Sequence, residues 1–456
     1  MHAESTSPRV ALHTLGCKLN YAESSAIGAA FAERGFGVVE LGSAGADVVV
    51  VNSCTVTENA DRECRQVVRR ALRANPHAFV IVTGCYAQLQ PEEIASIDGV
   101  DLVLGSAEKF RIFEFEQRFA KLDTPRIAVG EIGAVDDFGA AASGEGDTRT
   151  RAFLKVQDGC DYTCTFCTIP LARGSSRSHA IDEAVDAARR LVDGGYREIV
   201  LTGVNVGDYG KGTGERLFDL LVRLHDVEGL ERLKISSIEP NLLEDRIIEL
   251  AAGSDRMLPH FHIPLQSGSD DVLGRMRRRY RSEHYRERVE RIVSLMPDAA
   301  IGVDVIVGFP GESIGDFERT RELLHGLPVA YLHVFTYSER ENTPAARSAD
   351  PVPIEERRRR TTILRTLSEK KRAAFAARFV GSRRRVLFEH GDRGGRVVGL
   401  TDNYLRVAAP YDARLENTIV ECTIGAFDGD CAVGTPHVPE HGLPLGRTLS
   451  LPVLAG

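Results

Sequence analysis

The 456-residue chain carries 57 Lys and Arg against 65 Asp and Glu, a formal net charge of −8, and 43% of its residues are hydrophobic. That apolar share is too high for a disordered chain, and the glycines follow no three-residue period, which excludes a collagen-like fibre. At about 150 residues per domain, the length predicts two to four domains with separate cores.

No run approaches the roughly 18 apolar residues of a membrane span, and the strongest, Val48 to Val51, is strand-length. Residues 1–9, MHAESTSPR, lack the cationic start and apolar core of a signal peptide, so export is not expected. Nine cysteines, at 17, 54, 64, 85, 160, 164, 167, 422 and 431, make a poor disulfide framework. In a reducing cytoplasm their thiols stay free as metal ligands or nucleophiles. The reading is a soluble, monomeric cytoplasmic protein with no membrane association.

Residues 8–125 repeat a unit in which an apolar run ends in a cysteine: VALHTLGC to Cys17, DVVVVNSC to Cys54 and FVIVTGC to Cys85. Helix-like stretches such as SSAIGAAFAERG and ADRECRQVVRRALRA follow. The alternation predicts βα units around a parallel sheet. The functional crevice of such a sheet lies beyond the carboxyl ends of its strands, where one site could collect all three cysteines. Residues 126–150, containing DDFGAAASGEGDT, read as a mobile linker with a domain boundary near 145.

From 151 to 379 the alternation resumes. Strands are predicted at 153–159, 198–203, 233–238, 260–266, 300–308 and 330–337, with helices such as IDEAVDAARRLVDGG and DVLGRMRRRY between them. Six βα units fall short of the eight of a closed barrel, which predicts an open barrel with a lateral cleft. A charged amphipathic helix, EERRRRTTILRTLSEKKRAAFAARF, leads into residues 380–445. There RRRVLFEH, RVVGLTDNYLRVAAP and NTIVECTIGAF alternate apolar and polar positions, predicting a small antiparallel β-barrel.

The strongest motif is Cys160-Asp-Tyr-Thr-Cys164-Thr-Phe-Cys167. Three thiolates on one tight loop can hold three irons of a [4Fe–4S] cluster and leave the fourth iron open to a chelating ligand. A structural zinc site would want four closed ligands, and no fourth Cys or His stands at finger spacing; His179 is too far along. The other trio, Cys17, Cys54 and Cys85, each ends a predicted strand. Cys64, Cys422 and Cys431 read as packing residues.

CxxxCxxC at the end of the first strand of a six-unit βα series resembles the radical S-adenosylmethionine (SAM) superfamily. Gly-Cys17-Lys-Leu-Asn20, Asn52-Ser-Cys54-Thr-Val-Thr57 and Gly84-Cys85 resemble the N-terminal domain of its methylthiotransferases, and the C-terminal barrel resembles a TRAM domain, an RNA-binding module. The likeness spans essentially the whole chain in order. It implies an α/β protein of three parts: an N-terminal parallel-sheet domain, a partial (β/α)6 radical SAM barrel, and the small β-barrel. It also implies two [4Fe–4S] clusters, one at Cys160, Cys164 and Cys167 that coordinates SAM, and an auxiliary one at Cys17, Cys54 and Cys85. One SAM would be cleaved to a 5′-deoxyadenosyl radical and another would methylate a cluster-borne sulfur.

The same resemblance implies SAM contacts one residue at a time. Phe166 would place its backbone against the adenine. Gly203 and Asn205 end the second barrel strand, where the methionine amino group is held, although Asn205 departs from the usual acidic residue. Ser237 and Glu239 follow the third strand, with Glu239 a ribose partner. Gln266 follows the fourth, and Gly308 ends the fifth, adenine-contacting strand.

The basic runs Arg275–Arg281, Arg357–Arg360 and Arg383–Arg385 read either as solvated faces or, for the last, as a phosphate footprint; Tyr404 reads as a stacking surface or a core residue. Within the family, Thr14-Leu-Gly-Cys17-Lys-Leu-Asn20 and the segment Asn52 to Asp61 resemble the branch acting on N6-threonylcarbamoyladenosine-37 of tRNA. They differ from the Gln-Met-Asn and Pro-Lys-Asn versions of the isopentenyladenosine and ribosomal-protein aspartyl branches. Implied partners are the tRNA anticodon loop and an electron donor such as flavodoxin or ferredoxin. A reading of another class is an RNA-binding iron–sulfur sensor without turnover.

Overall fold

The structure, a computed structural model, describes residues 7–438 apart from 43–44, 55–57, 136–137 and 144–148. Thr55–Thr57 of the second cysteine motif and residues 439–445 of the expected terminal barrel lie outside the described residues.

The first unit alternates β1 (Arg9–Thr14), α1 (Lys18–Ala32), β2 (Gly37–Val39), β3 (Val48–Ser53), α2 (Glu58–Ala74) and β4 (Phe79–Gly84). It continues through the short α3 (Cys85–Leu89) and α4 (Pro91–Ala95), β5 (Leu102–Leu104), α5 (Ile112–Phe115) and β6 (Arg126–Ala128). All six strands pair in parallel in the order β2-β1-β3-β4-β5-β6. Every residue of β3 and β4 is buried, as their unbroken Val/Ile runs require when helices cover both faces. The three-residue strands β2, β5 and β6 carry too little pattern to be read from sequence. Arg126–Ala128, expected within the linker, pairs with β5 and belongs to this sheet. Farther on, Ala142 bridges to Leu154, and the Ser143 amide donates to the Phe153 carbonyl at 2.9 Å.

The second unit runs β7 (Arg151–Lys155), β8 (Gln157–Asp158), α6 (Ile169–Arg173), β9 (Arg177–Ser178), α7 (Ile181–Asp193), β10 (Glu198–Thr202), α8 (Leu217–His225) and β11 (Arg232–Ile235). Then follow α9 (Asp245–Gly253), β12 (His260–His262), α10 (Asp270–Arg275), α11 (Ser282–Leu295), β13 (Ala300–Val307), α12 (Ile314–Gly326), β14 (Tyr331–Thr336) and α13 (Ile354–Ala377). The six predicted strands correspond to β7/β8 and β10 to β14. They form two parallel three-stranded sheets, β7-β10-β11 and β12-β13-β14. Leu258 and Ile238 amides donate to the Leu233 and His262 carbonyls at 2.9 and 3.0 Å, joining the two sheets. The result is a curved six-strand wall, with no pairing between β7 and β14 among the described residues.

Period-two alternation sets its chemistry. Outward side chains such as Leu233, Ile235, Val303, Val305, Leu332 and Val334 join the core with the surrounding helices. Inward positions are polar: His262, Asp304 and His333 lie together in the lumen, and Lys234 lies beside Tyr404 at its base. Helix α1 of the first unit packs on the lumen side of β7 and β10 through Ala22 against Phe153 and Val200.

The last unit, β15 (Arg383–Phe388), β16 (Arg396–Thr401), β17 (Arg406–Pro410), β18 (Ile419–Phe427) and β19 (Ala432–Pro436), is a closed barrel in the order β15-β16-β17-β19-β18. The sequence predicts an antiparallel barrel, and closure requires one exception, since β17 and β19 run parallel. Tyr404, at φ 64°, enters the base of the large barrel. Its hydroxyl donates to Glu198, and its ring lies 4.4 Å from Lys234 Nζ and 4.6 Å from His260. It is a plug, not a stacking surface. Arg384 pairs with Asp298 and Asp402, and Arg385 with Glu231, so this basic strand is largely spent on docking. Among the described residues no helix is long and apolar enough to cross a membrane.

Candidate active site between two cysteine trios

Cys17, Cys54 and Cys85 stand at the carboxyl ends of β1, β3 and β4, three neighbouring strands of one sheet. Gly16, at φ +96°, lets the first loop approach Cys54: a Cβ there would lie 2.7 Å from the Cys54 sulfur. Asn20 locks this edge, its Nδ2 donating to the Leu15 and Ser53 carbonyls at 2.8 and 3.1 Å.

The second trio lies on the loop between β8 and α6. The Cys167 amide donates to the Cys164 carbonyl at 3.2 Å, and the Tyr162 amide donates to Cys160 Sγ at 3.4 Å. Arg278 Nη1 donates to Cys164 Sγ at 3.2 Å, while Nη2 pairs with Glu239. Burial pushes the Cys160 thiol up to about 11 and the Cys167 thiol up to about 12, so both stay protonated at neutral pH, and a metal centre would have to displace their protons on binding. Three thiols on one short loop, with no His or carboxylate grouped with them at single-ion distance among the described residues, fit a cubane with one open iron better than a closed zinc site.

A buried charge network runs from Cys85 of the first trio to Asp158, two residues before Cys160 of the second. Arg173, on α6 just after Cys167, donates through Nε to Cys85 Sγ at 3.3 Å and through Nη1 to Glu23 and Asp158 at 2.9 and 3.0 Å. Lys109 and Lys155 reach Glu23 at 2.6 and 3.3 Å, and Lys155 reaches Asp158 at 2.7 Å. Burial alone would raise the Glu23 carboxyl, but the charges of Arg173, Lys109 and Lys155 hold it well below the usual carboxylate range. Asp158 is held low against burial by Lys155, Arg173 and Lys109.

Of the expected SAM-contacting residues, Phe166 and Gln266 share a cavity with Cys167 of the second trio. A cavity of about 210 Å³ is lined by Phe166, Cys167, Gln266, Asp304, Phe335 and Arg340, among others. Gln266, at φ 64°, has a buried Oε1 without a hydrogen-bond partner. Asn205 donates from Nδ2 to Asp208 at 2.9 Å and leaves its own buried Oδ1 unpartnered. Two orphaned acceptors beside a cysteine loop suit a ligand carrying an ammonium and hydroxyls. Gly203 lies so close to Gln157 that a Cβ would come within 2.9 Å of its Oε1, and Ser237 is half-buried. Glu239 is engaged by Arg278, and Gly308 packs on Arg357 while its amide donates to Glu312 at 2.6 Å.

Sequence reasoning missed several residues here. Helix α10 stops at Arg275, short of the expected DVLGRMRRRY helix; the chain turns at Arg277, φ 57°, which frees Arg278 to reach Cys164. Asp208 places a carboxylate 2.9 Å from the Asn205 amide nitrogen. Glu23, Lys109, Lys155 and Arg173 are scattered in sequence and meet only in the fold. Cys64, Cys422 and Cys431 lie in hydrophobic cores.

Residues 154–324 match the radical SAM superfamily, and residues 9–105 match the uncharacterized protein family UPF0004. The chain is 40% identical over 404 residues to the threonylcarbamoyladenosine tRNA methylthiotransferase MtaB of Bacillus subtilis, covering 87% of this chain and 89% of that protein. It is 39% identical to the Aquifex aeolicus protein of the same name, covering 88% and 96%. Among solved structures it resembles the radical SAM methyltransferase TsrM of Kitasatospora setae, with TM-score 0.53 and 16% identity over 75% of this chain and 77% of that one. That likeness concerns the fold alone.

Proposed function

The chain belongs to the radical SAM tRNA methylthiotransferases, enzymes that work with [4Fe–4S] and SAM, and on that premise we propose that it adds a methylthio group to C2 of N6-threonylcarbamoyladenosine-37 in tRNA. The observation that supports this most is the presence of two cysteine trios, each at strand carboxyl ends, on units held together by Arg173, whose side chain reaches Cys85 and Asp158, two residues before Cys160.

In this reading Cys160, Cys164 and Cys167 hold the cluster that binds SAM, and Cys17, Cys54 and Cys85 hold an auxiliary cluster. When bound, the first cluster and SAM supply a carbon radical able to take the hydrogen from C2, a position no side-chain base can usefully deprotonate. The site would use one SAM for that chemistry and a second as the source of the methyl group. Asn205 and Gln266 would hold SAM through their free carbonyl oxygens, with Phe166 as a further contact and Gly203, Ser237, Glu239 and Gly308 at the strand ends around the site. Arg278 holds Cys164 and Glu239 in register. The lumen wall and α1 keep bulk water from the reacting carbon while a splayed-out base enters. The C-terminal barrel binds RNA, and the protein works as a cytoplasmic monomer fed by a flavodoxin or ferredoxin. The units run from 8 through β6 to 128, from 151 to 379 and from 380 to 445.

Nucleoside mass spectrometry of tRNA from cells with and without the gene tests this. Loss of 2-methylthio-N6-threonylcarbamoyladenosine with accumulation of its precursor is expected. Loss of the isopentenyl derivative, or an unchanged tRNA profile, would overturn the substrate. With purified protein, Cys164→Ala should lose SAM cleavage, whereas Cys54→Ala should keep cleavage and lose methylthio product. Product formation by Cys54→Ala would refute the two-cluster assignment.

A further inference from the structure

The base of the large-barrel lumen holds more positive than negative charge. Arg151, Arg232, Lys18 and Lys234 gather there with the carboxylates of Glu198 and Glu389. The arginines take both carboxylates, Arg151 pairing with Glu389 at 2.8 Å and Arg232 lying 3.7 Å from Glu198, which also accepts from Tyr404. Among the described residues, neither lysine has a carboxylate within salt-bridge distance. Lys234 is 2% exposed, and its Nζ lies 4.4 Å over the Tyr404 ring. Lys18 lies beside it, reaching across from α1.

Buried ammonium groups without an anion are costly. Lys18 adds a second conflict, because it occupies the first residue of a 15-residue helix whose first turn has no acidic side chain. A cation there opposes the helix dipole. Burial, and then the charge of Lys18, push the Lys234 amine well below its ordinary value, which a nearby anion would reverse. His260, His262 and His333 complete the surroundings; Asp304, the carboxylate facing them, is already bonded to His262 Nε2 at 2.8 Å.

We propose that Lys18 and Lys234 form an anion pocket in the lumen that takes the carboxylate of the amino-acid substituent on N6 of the target adenosine. The inference rests on the substrate reading above and deepens it. In adenine, C2 and C6 flank N1 on the edge opposite the glycosidic N9. A nucleotide held by its backbone at the mouth therefore carries its C2 edge and its N6 substituent into the lumen together. Lys18 directly follows Cys17, so a carboxylate a few bonds from the base falls within reach of its ammonium. An enzyme built this way reads the acidic group as a condition for productive placement of C2.

The test uses the full-length, cluster-reconstituted protein and an anticodon stem–loop carrying N6-threonylcarbamoyladenosine, or the same RNA with that carboxylate as its methyl ester. Equilibrium binding and kcat/KM for methylthio product are both read. The wild type should favour the acid by about 10- to 100-fold, the range of a charge-assisted buried hydrogen bond. Lys18→Gln should bring the ratio close to one, mainly through KM, and Lys18→Arg should restore much of it. Lys234→Met should act in the same direction. A wild-type ratio near one, or a Lys18→Gln variant that weakens acid and ester equally, as loss of a phosphate contact or of folding would, overturns the anion pocket while leaving the substrate reading intact. A wild type that modifies neither RNA but does modify an isopentenyl one overturns the substrate reading and the pocket with it.

Discussion

Glu23→Gln is the sharpest test of the network joining the two cysteine trios. The substitution keeps shape and removes the charge that Lys109, Lys155 and Arg173 share at 2.6, 3.3 and 2.9 Å. Three buried cations would then face Asp158 alone. Leaving buried charge uncompensated costs about 3–5 kcal/mol. At about 1.4 kcal/mol per decade, that is a one hundred- to several-thousand-fold rise in opening of the α1 interface. Hydrogen exchange of the α1 amides, in protein without clusters, reads this directly. A second substitution, Lys109→Met, should recover part of the loss by removing a surplus cation, which a packing defect would not predict. Because both carboxyls are held below their ordinary range, the network is at full strength at neutral pH and weakens only as pH falls below about 4. Unchanged α1 protection in Glu23→Gln would refute the argument.

Two further outcomes follow from local geometry. Gly16→Ala should fold but bind less iron, since its Cβ would meet the Cys54 sulfur at 2.7 Å and the residue sits at φ +96°; iron stoichiometry checks this, and wild-type loading would show that the loop can shift. Tyr404→Phe should loosen the C-terminal barrel, costing about 1–3 kcal/mol for the buried Glu198 oxygen left short of a partner. Limited proteolysis near residue 380 should detect it, and an unchanged cleavage rate would argue against the plug.

What could be read from sequence follows the range of the interactions involved. Six barrel strands and the strand-ending cysteines are legible because each is a local apolar run with a local stop signal. The parallel β17–β19 pair is not, because closure of a barrel depends on all its strands at once. Arg278 was hidden by a run of arginines that looked uniformly helical, and only the turn at Arg277 separates its role from its neighbours'. Arg173 carried no signal of its own. Its partners, Asn20 and Glu23 of α1, Cys85 and Asp158, come from three separate stretches of chain. Tyr404 could be read as surface or core, and it serves as core for a different domain.

The way α1 sits against β7 and β10, with Arg173 clasping it, means that the spacing of the two cysteine trios is fixed by a noncovalent seam and not by the chain that runs between them. Covalent continuity between the first and second units is then dispensable in principle. Two separately made polypeptides, divided between residues 143 and 149, would reassemble with the same distance from one trio to the other. A lengthened connection would leave that distance untouched, whereas a small change in the side chains of the seam would alter it.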